Sequence, residues 1–294
     1  MLKNAFFYII GIGFLFLAKS RNFLQGYASR SFDISEVDKC IDYDIHVVDH
    51  WLSHLQEYTH DANFFVGKRV LELGPGDDLG TGLYLLSKGC SQYDACDIHD
   101  LVTSTSDSFY EQFLKKIAAI NSQADIDFLK EQLKEAKIGN PSRLNYQVRH
   151  DFDIVSAFGE STVDLVFSQS AFECFDDIDT TISHLSVVCK PGAVLVAEID
   201  VRTISRWIRY KDPNNIYRYP RWLFNLFSFR GIPNRLRPYH YKEAFERAGW
   251  TDISIIPLAK LDSHDQSYSG MHKDFTDDKN QMDYLSIMFC ARKG

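Results

Sequence analysis

Val70-Leu71-Glu72-Leu73-Gly74-Pro75-Gly76-Asp77-Asp78 reads as an apolar strand that runs into a glycine turn and opens a helix. A second short strand, Tyr93-Asp94-Ala95-Cys96-Asp97, ends in a carboxylate. Glycines let a backbone approach a ligand closely, and a helix start offers free N–H groups. A carboxylate at the end of the next strand can grip a ribose diol. The combination describes a nucleoside-cofactor site, and the details narrow it. The Gly-x-Gly-x-x-Gly fingerprint of dinucleotide sites fails, because Leu79 stands at its third glycine position. No Gly-Lys-Ser or Gly-Lys-Thr follows the turn, so it is not a phosphate-binding P-loop. What remains is acidic-x-Gly-x-Gly, with Glu72 at the strand end. A carboxylate there repels a pyrophosphate and suits a cationic ligand end. The plain alternative for Gly74-Pro75-Gly76 is a tight loop with no ligand.

Strand and helix patterns alternate outward from this turn. Val37, Ile41, Ile45, Val48, Leu52 and Leu55 recur at helical spacing upstream of it. The same stretch carries His46, His50 and His54 at four-residue steps. Such a stripe could ligate a metal, but nothing nearby completes a ligand set, so a polar face or domain contact is the favoured reading. Strands are expected at 69–73, 92–97, 144–148, 163–167 and 193–199, with helices at about 79–88 and 178–189. Residues 101–142 form an insert of two amphipathic helices. A helix at 241–248 and apolar strands at 253–256 and 284–291 complete the chain. This alternation predicts a parallel sheet with helices packed on it.

The chain has 294 residues, 45% of them hydrophobic, and a net charge of −8. It can bury a full core, and its acidity argues against broad nucleic-acid binding. Its six cysteines are scattered and lack metal spacing, so buried reduced thiols in a cytosolic protein are expected and no metal site is. Ala5 to Ala18 is an unbroken apolar run flanked by Lys3, Lys19 and Arg21. Roughly 14 residues are short of the ~20 that span a bilayer as a helix. A signal-peptide core, a helix lying on a membrane and a helix packed on the protein compete. Association with the cytoplasmic face of a membrane is favoured over secretion.

Glu72 through Gly76 resembles the first motif of class I S-adenosylmethionine-dependent methyltransferases, and further segments match in order. Ser168-Gln169-Ser170-Ala171-Phe172-Glu173-Cys174-Phe175-Asp176-Asp177 resembles the family's Ser-x-x-x-x-Glu-His-x-x-Asp form, with Cys174 where His is common. Lys190-Pro191-Gly192 resembles its turn before strand five. The resemblance implies a Rossmann-like, doubly wound α/β sheet, mostly parallel with an antiparallel C-terminal strand, and S-adenosylmethionine as cofactor. It implies that Glu72 faces the methionine amine beside Gly74, Pro75 and Gly76, and that Asp97 holds the ribose. Asp151 and Phe152 are then expected at the adenine, and Ser168 by the methionine part. His150 and Asp153 lie close to Asp151, which could instead cap a turn. The domain division expected is residues 1–30 as membrane-associating or packing helix and 31–66 as a helical segment. Residues 67–200 are then the cofactor-binding core with insert 101–142, and 201–294 an acceptor cap with C-terminal helix and strands.

Residues 201–237 hold nine Lys and Arg against one Asp, interleaved with aromatics. Guanidinium groups beside aromatic faces suit an anionic or sugar-bearing acceptor, or a lipid headgroup. Arg202, Arg235, Arg237 and Tyr239 are the acceptor-binding candidates, and a solvated cap surface is the bland alternative. Asn234-Arg235-Leu236-Arg237 resembles bacterial methyltransferases found with polysaccharide-assembly enzymes, which implies a glycan-type or lipid-linked acceptor. Methyl transfer to an oxygen gains from a general base. Asp200, His150 and His240 are the candidates in that order, Asp200 leading because it ends strand five. A non-catalytic cofactor-binding or membrane-docking module is the competing function; intact Glu72, Gly74, Gly76 and Asp97 argue against it.

Overall fold

In the computed structural model the run Arg69–Leu73 forms β1, near the middle of a seven-stranded sheet. The structure describes residues 2–25, 36–140, 142–203, 205–262 and 269–294. The division expected between residues 30 and 31 lies outside them, as does residue 141 near the end of the expected insert. The parallel strands are β1, β2 (Gln92–Asp97), β3 (Leu144–Val148), β4 (Val163–Gln169) and β5 (Cys189–Asp200). The sheet is completed by β6 (Trp250–Lys260) and β7 (Tyr284–Lys293), with β7 antiparallel between β5 and β6. The spatial order is β3-β2-β1-β4-β5-β7-β6. The order reverses between β1 and β4, which opens a crevice at their carboxyl ends. This is the Rossmann-like, mostly parallel sheet with an antiparallel C-terminal edge.

Two long helices precede the sheet, α1 (Leu2–Gln25) and α2 (Val37–Thr59). Between β1 and β2 lies α3 (Gly80–Ser87), and between β2 and β3 lie α4 (Asp107–Ile120) and α5 (Ile126–Lys137). After β3 come α6 (Ile154–Phe158) and α7 (Ile178–Val188), either side of β4. The segment after β5 contributes α8 (Arg206–Arg209), α9 (Arg221–Leu226) and α10 (Pro238–Arg247). Local chemistry sets several starts. Ser106, Asp125 and Asp177 accept hydrogen bonds from the N–H groups of Phe109, Phe128 and Thr180 at the N-termini of α4, α5 and α7.

Each sheet face has its own core. On one, α2 to α5 pack over β1, β4 and β5; Trp51 is fully buried and stacks on Phe167 at 4.8 Å and 5°. On the other, α7 and α10 cover Leu195, Ala197 and Phe289. Lys190-Pro191-Gly192, expected as a turn, lies inside β5 as a bulge: Cys189 pairs with Val163, and pairing resumes at Val194 with Leu165.

A third, smaller cluster joins α1 to the segment after β5 through Leu15, Ile216, Tyr217, Tyr219 and Phe224. Gly11 is the contact point. A Cβ there would meet Tyr219 Oη at 2.0 Å and Asn215 Oδ1 at 2.1 Å, so only glycine lets the helix sit this close. The apolar run is longer than its sequence suggests: Leu2–Leu24 is long and apolar enough to cross a membrane, and the most apolar part is 17% buried. Phe6, Ile9, Phe16, Leu17, Phe23 and Leu24 stay exposed.

Candidate cofactor site and adjoining chamber

The loop from β1 to α3 begins at Gly74 with φ +73°, and its position is tight: a Cβ there would stand 2.7 Å from Ala171 Cβ. Glycine is required on both counts. The loop thus closes against the segment after β4, and a cavity forms between them. Glu72, Gly74, Pro75, Gly76, Asp97 and Phe152, all expected at the cofactor, line that one cavity.

Glu72 is buried, and its Oε2 accepts from Thr81 Oγ1 at 2.7 Å and Tyr93 Oη at 2.6 Å. Burial, reinforced by this carboxylate, pushes the Tyr93 hydroxyl well above its ordinary range, which keeps it a donor. Asp97 accepts from His99 N at 2.9 Å. Burial raises its carboxyl, and the N–H groups of His99, Ile98 and Gly76 oppose the rise.

Other expected site residues are elsewhere. Asp151 is exposed and forks onto Arg149 at 3.1 and 3.0 Å, which holds its carboxyl below the usual range. Ser168 is fully buried and ties β4 to β1 through Leu73 O at 2.9 Å; its neighbours Gln169 and Ser170 line the cavity instead. Asp200 is no free base, because Arg202 clamps it at 2.9 and 2.7 Å and Arg209 adds a further contact. His150 sits on the surface against Ile98 O at 3.0 Å. His240 Nδ1 accepts from Arg237 N at 3.0 Å and helps start α10.

The acceptor candidates need the largest correction. Arg237 is fully buried and donates to the carbonyls of Asn280, Gln281 and Tyr284 at 2.9, 2.6 and 2.8 Å. Arg235 donates to Tyr219 O at 2.6 Å and lies 4.7 Å from the Phe224 and Phe275 rings. Asn234 donates to Phe172 O and Phe175 O. These residues clamp the cap to itself and to the segment after β4. Tyr239 stacks on His240 at 3.8 Å beneath Lys279, away from the cavity lining. Arg202 stays near the cavity end of β5, engaged with Asp200.

Sequence reasoning missed the wall that α2 supplies. Tyr43, Asp44 and Val47 line the cavity, together with Thr81, His99, Ala171 and Cys174. The spacing of Tyr43, Asp44 and Val47 marks one face of a helix, and that face was the available signal. Glu173 lies beside this wall, 7% exposed, and burial pushes its carboxyl up to about 8. Glu198 adds to that rise, while Arg209 and Arg202 oppose it.

A family model described as a methyltransferase domain matches residues 105–197. No curated protein matches the chain. Among solved structures it is similar to the CurJ carbon methyltransferase, at 16% identity, over 78% of this chain and 49% of that one, with a TM-score of 0.44. It is also similar to a putative sarcosine dimethylglycine methyltransferase from Galdieria sulphuraria, at 12% identity, 85% and 86% coverage and a TM-score of 0.46. A third is Haemonchus contortus phosphoethanolamine N-methyltransferase 2 in complex with S-adenosyl-L-methionine, at 15% identity, 81% and 52% coverage and a TM-score of 0.42. The chain spans about half the length of the first and third of these. Residues 105–197 thus match a methyltransferase domain, which indicates S-adenosylmethionine as the cofactor.

Proposed function

We propose that the protein transfers the methyl group of S-adenosylmethionine to an oxygen of a small-molecule or glycan-type acceptor. The observation that carries this reading is the convergence of two buried carboxylates, Glu72 and Asp97, on one cavity floored by the Gly74–Gly76 loop. Both ends of the cofactor find suitable chemistry. Glu72 suits the cationic methionine end and Asp97 the ribose diol, while Phe152 and Ile98 offer apolar contact to the adenine. Tyr43 and Val47 close the opposite wall and exclude water, which a displacement at a sulfonium methyl requires.

What supports an oxygen acceptor is the polar end of the same cavity. Gln169 lines it with its Oε1 buried and without a hydrogen-bond partner among the described residues. Glu198 is Gln169's partner across β4 and β5, and Arg202 follows two residues beyond the end of β5. Such groups suit a hydroxylated acceptor, including an anionic or glycan-like one. The link to polysaccharide assembly rests on Asn234-Arg235-Leu236-Arg237, whose internal role supports a shared cap architecture more than a shared acceptor.

A membrane-borne acceptor is supported by α1. Its outer face is apolar, and Lys19 in its second half donates to Leu226 O at 2.8 Å, which sets exposed Trp222 and Leu226 of α9 beside it. An interfacial helix with aromatic and basic flanks has this composition. The test has two arms. Titration calorimetry is expected to show binding of S-adenosylhomocysteine, and absence of binding overturns the reading. Methyl-labelled cofactor incubated with cell extract is expected to label lipid-linked or soluble glycan pools, whereas label confined to nucleic acid overturns the acceptor class.

A further inference from the structure

His46, His50 and His54 are used neither by the cofactor cavity nor by the cores. α2 turns them toward the end of β5. His50 Nδ1 lies 3.6 Å from Glu198 Oε2, and His50 Nε2 lies 3.1 Å from His54 Nε2. His54 Nδ1 lies 3.7 Å from Glu57 Oε2. The His46 ring stacks parallel on His50 at 5.8 Å. Side-chain exposure along the row is 20% at Glu198, 30% at His50, 12% at His54 and 66% at Glu57, where it ends in solvent. Among the described residues no group of three or more His, Cys, Asp or Glu is placed to hold a metal ion, so the row is not a ligand set.

Glu198 is where the row comes beside Gln169, its cross-strand partner, which lines the cavity. Residues paired across two strands share a sheet face, and the pair before it on that face, Phe167 with Val196, lies in the core beneath α2. Glu198 and Gln169 therefore point to the α2 side, and Gln169 lines the cavity. His50 and His54 are each contacted through one nitrogen on the inner side and through the other on the outer side. A ring so placed accepts a proton at one nitrogen and releases one from the other.

Methylation of a hydroxyl frees one proton. The oxygen lone pair forms the O–C bond, the C–S bond breaks with its electrons left on sulfur, and the O–H proton must leave a cavity walled by α2. Resting on the methyl-transfer reading above, we propose that Glu198 takes this proton and that His50 and His54 carry it out to Glu57 and solvent. The two end contacts, at 3.6 and 3.7 Å, are imidazole–carboxylate contacts that one small side-chain shift or a water closes to hydrogen bonds. Glu173, Arg202, Arg209 and the Asp200 that pairs with both arginines are the other charged groups at the inner end. His54 titrates below the ordinary imidazole range, through burial first and the charge of His50 second, with Glu57 and Glu198 pulling the other way. It is therefore neutral near physiological pH and able to receive a proton.

Two measurements on the full chain test this. The first needs no acceptor: imidazole NMR titrations of the wild type and of single variants. His50→Gln removes a charge that lowers His54, so the His54 midpoint is expected to rise. Glu198→Gln removes a charge that raises it, so the midpoint is expected to fall. A His54 midpoint indifferent to both changes overturns the relay. The second is single-turnover methyl transfer into the extract fraction that takes label from the wild type. Glu198→Gln is expected to slow it on the order of 100-fold or more, the range of general acid–base catalysis, with cofactor affinity unchanged by calorimetry. His50→Ala is expected to slow it and to recover with added imidazole. Variant rates within about twofold of the wild type, or a His50→Ala loss that imidazole does not restore, overturn the relay. A wild type inactive on every fraction instead refutes the methyl-transfer reading, while the titration still decides whether the row is coupled.

Discussion

Glu173→Gln probes the polar chemistry beside the cavity through stability alone. Glu173 sits just after β4, 7% exposed, and its Oε2 has no hydrogen-bond partner among the described residues. Burial lifts its carboxyl from 4.5 to about 8. Between those values the folded chain holds a proton that the unfolded chain has released. Stability therefore falls as pH rises from the unfolded value through the folded one. At 1.36 kcal/mol per pH unit, the full effect is at most about 5 kcal/mol. Gln keeps the shape and cannot ionise, so the variant lacks this slope. Its fixed cost, an amide buried without partners, is the same at every pH. Urea unfolding followed by tryptophan fluorescence at about pH 5 and pH 9 separates the two, because the other titrating groups are common to both proteins. Relative to the variant, the wild type is expected to lose about 3–5 kcal/mol across that interval. With a denaturant slope of about 3 kcal/mol per molar, its midpoint falls by about 1–1.7 M. Midpoints that run parallel from pH 5 to pH 9 would refute the reasoning and place Glu173 in a wetter or better-paired site.

Asp97→Ala is expected to weaken S-adenosylhomocysteine binding by about 1.5–3 kcal/mol, roughly 10- to 150-fold, and calorimetry showing unchanged affinity removes Asp97 from the site. Arg237→Gln strands three backbone carbonyls and is expected to cost about 3–5 kcal/mol in thermal or urea unfolding. Lost acceptor use at undiminished stability would return Arg237 to the pocket. A chain starting at Glu36 is expected to lose co-flotation with anionic phospholipid vesicles, since α1 carries the exposed apolar face. Flotation that survives the truncation assigns the membrane contact to another surface.

Glu72, Gly74, Gly76 and Asp97 were legible in the sequence because strand, turn and helix start are local events. An apolar run, a residue that must adopt positive φ and a carboxylate at the next strand end need only their neighbours to take shape. The parallel sheet was legible for the same reason, through alternating periodicities. Asp200 and Ser168 were not. Each stands at the expected strand position, but which way a side chain turns and what it meets depends on segments far along the chain: Arg209 claims Asp200, and Leu73 O claims Ser168.

The arginine cluster marks the boundary most sharply. Composition shows guanidinium groups among aromatics and reads equally as a pocket wall or as a buried clamp, because both pair a flat cation with rings and acceptors. Only the packing of α1 and the chain ends around residues 215–237 buries Arg235 and Arg237 against carbonyls. The histidine row divides in the same way. Its four-residue spacing was sufficient to align the three rings on one helix face, since helical geometry is set by the backbone. That Glu198 faces them follows from the sheet register that lays β5 under α2, and register is a property of the assembled core.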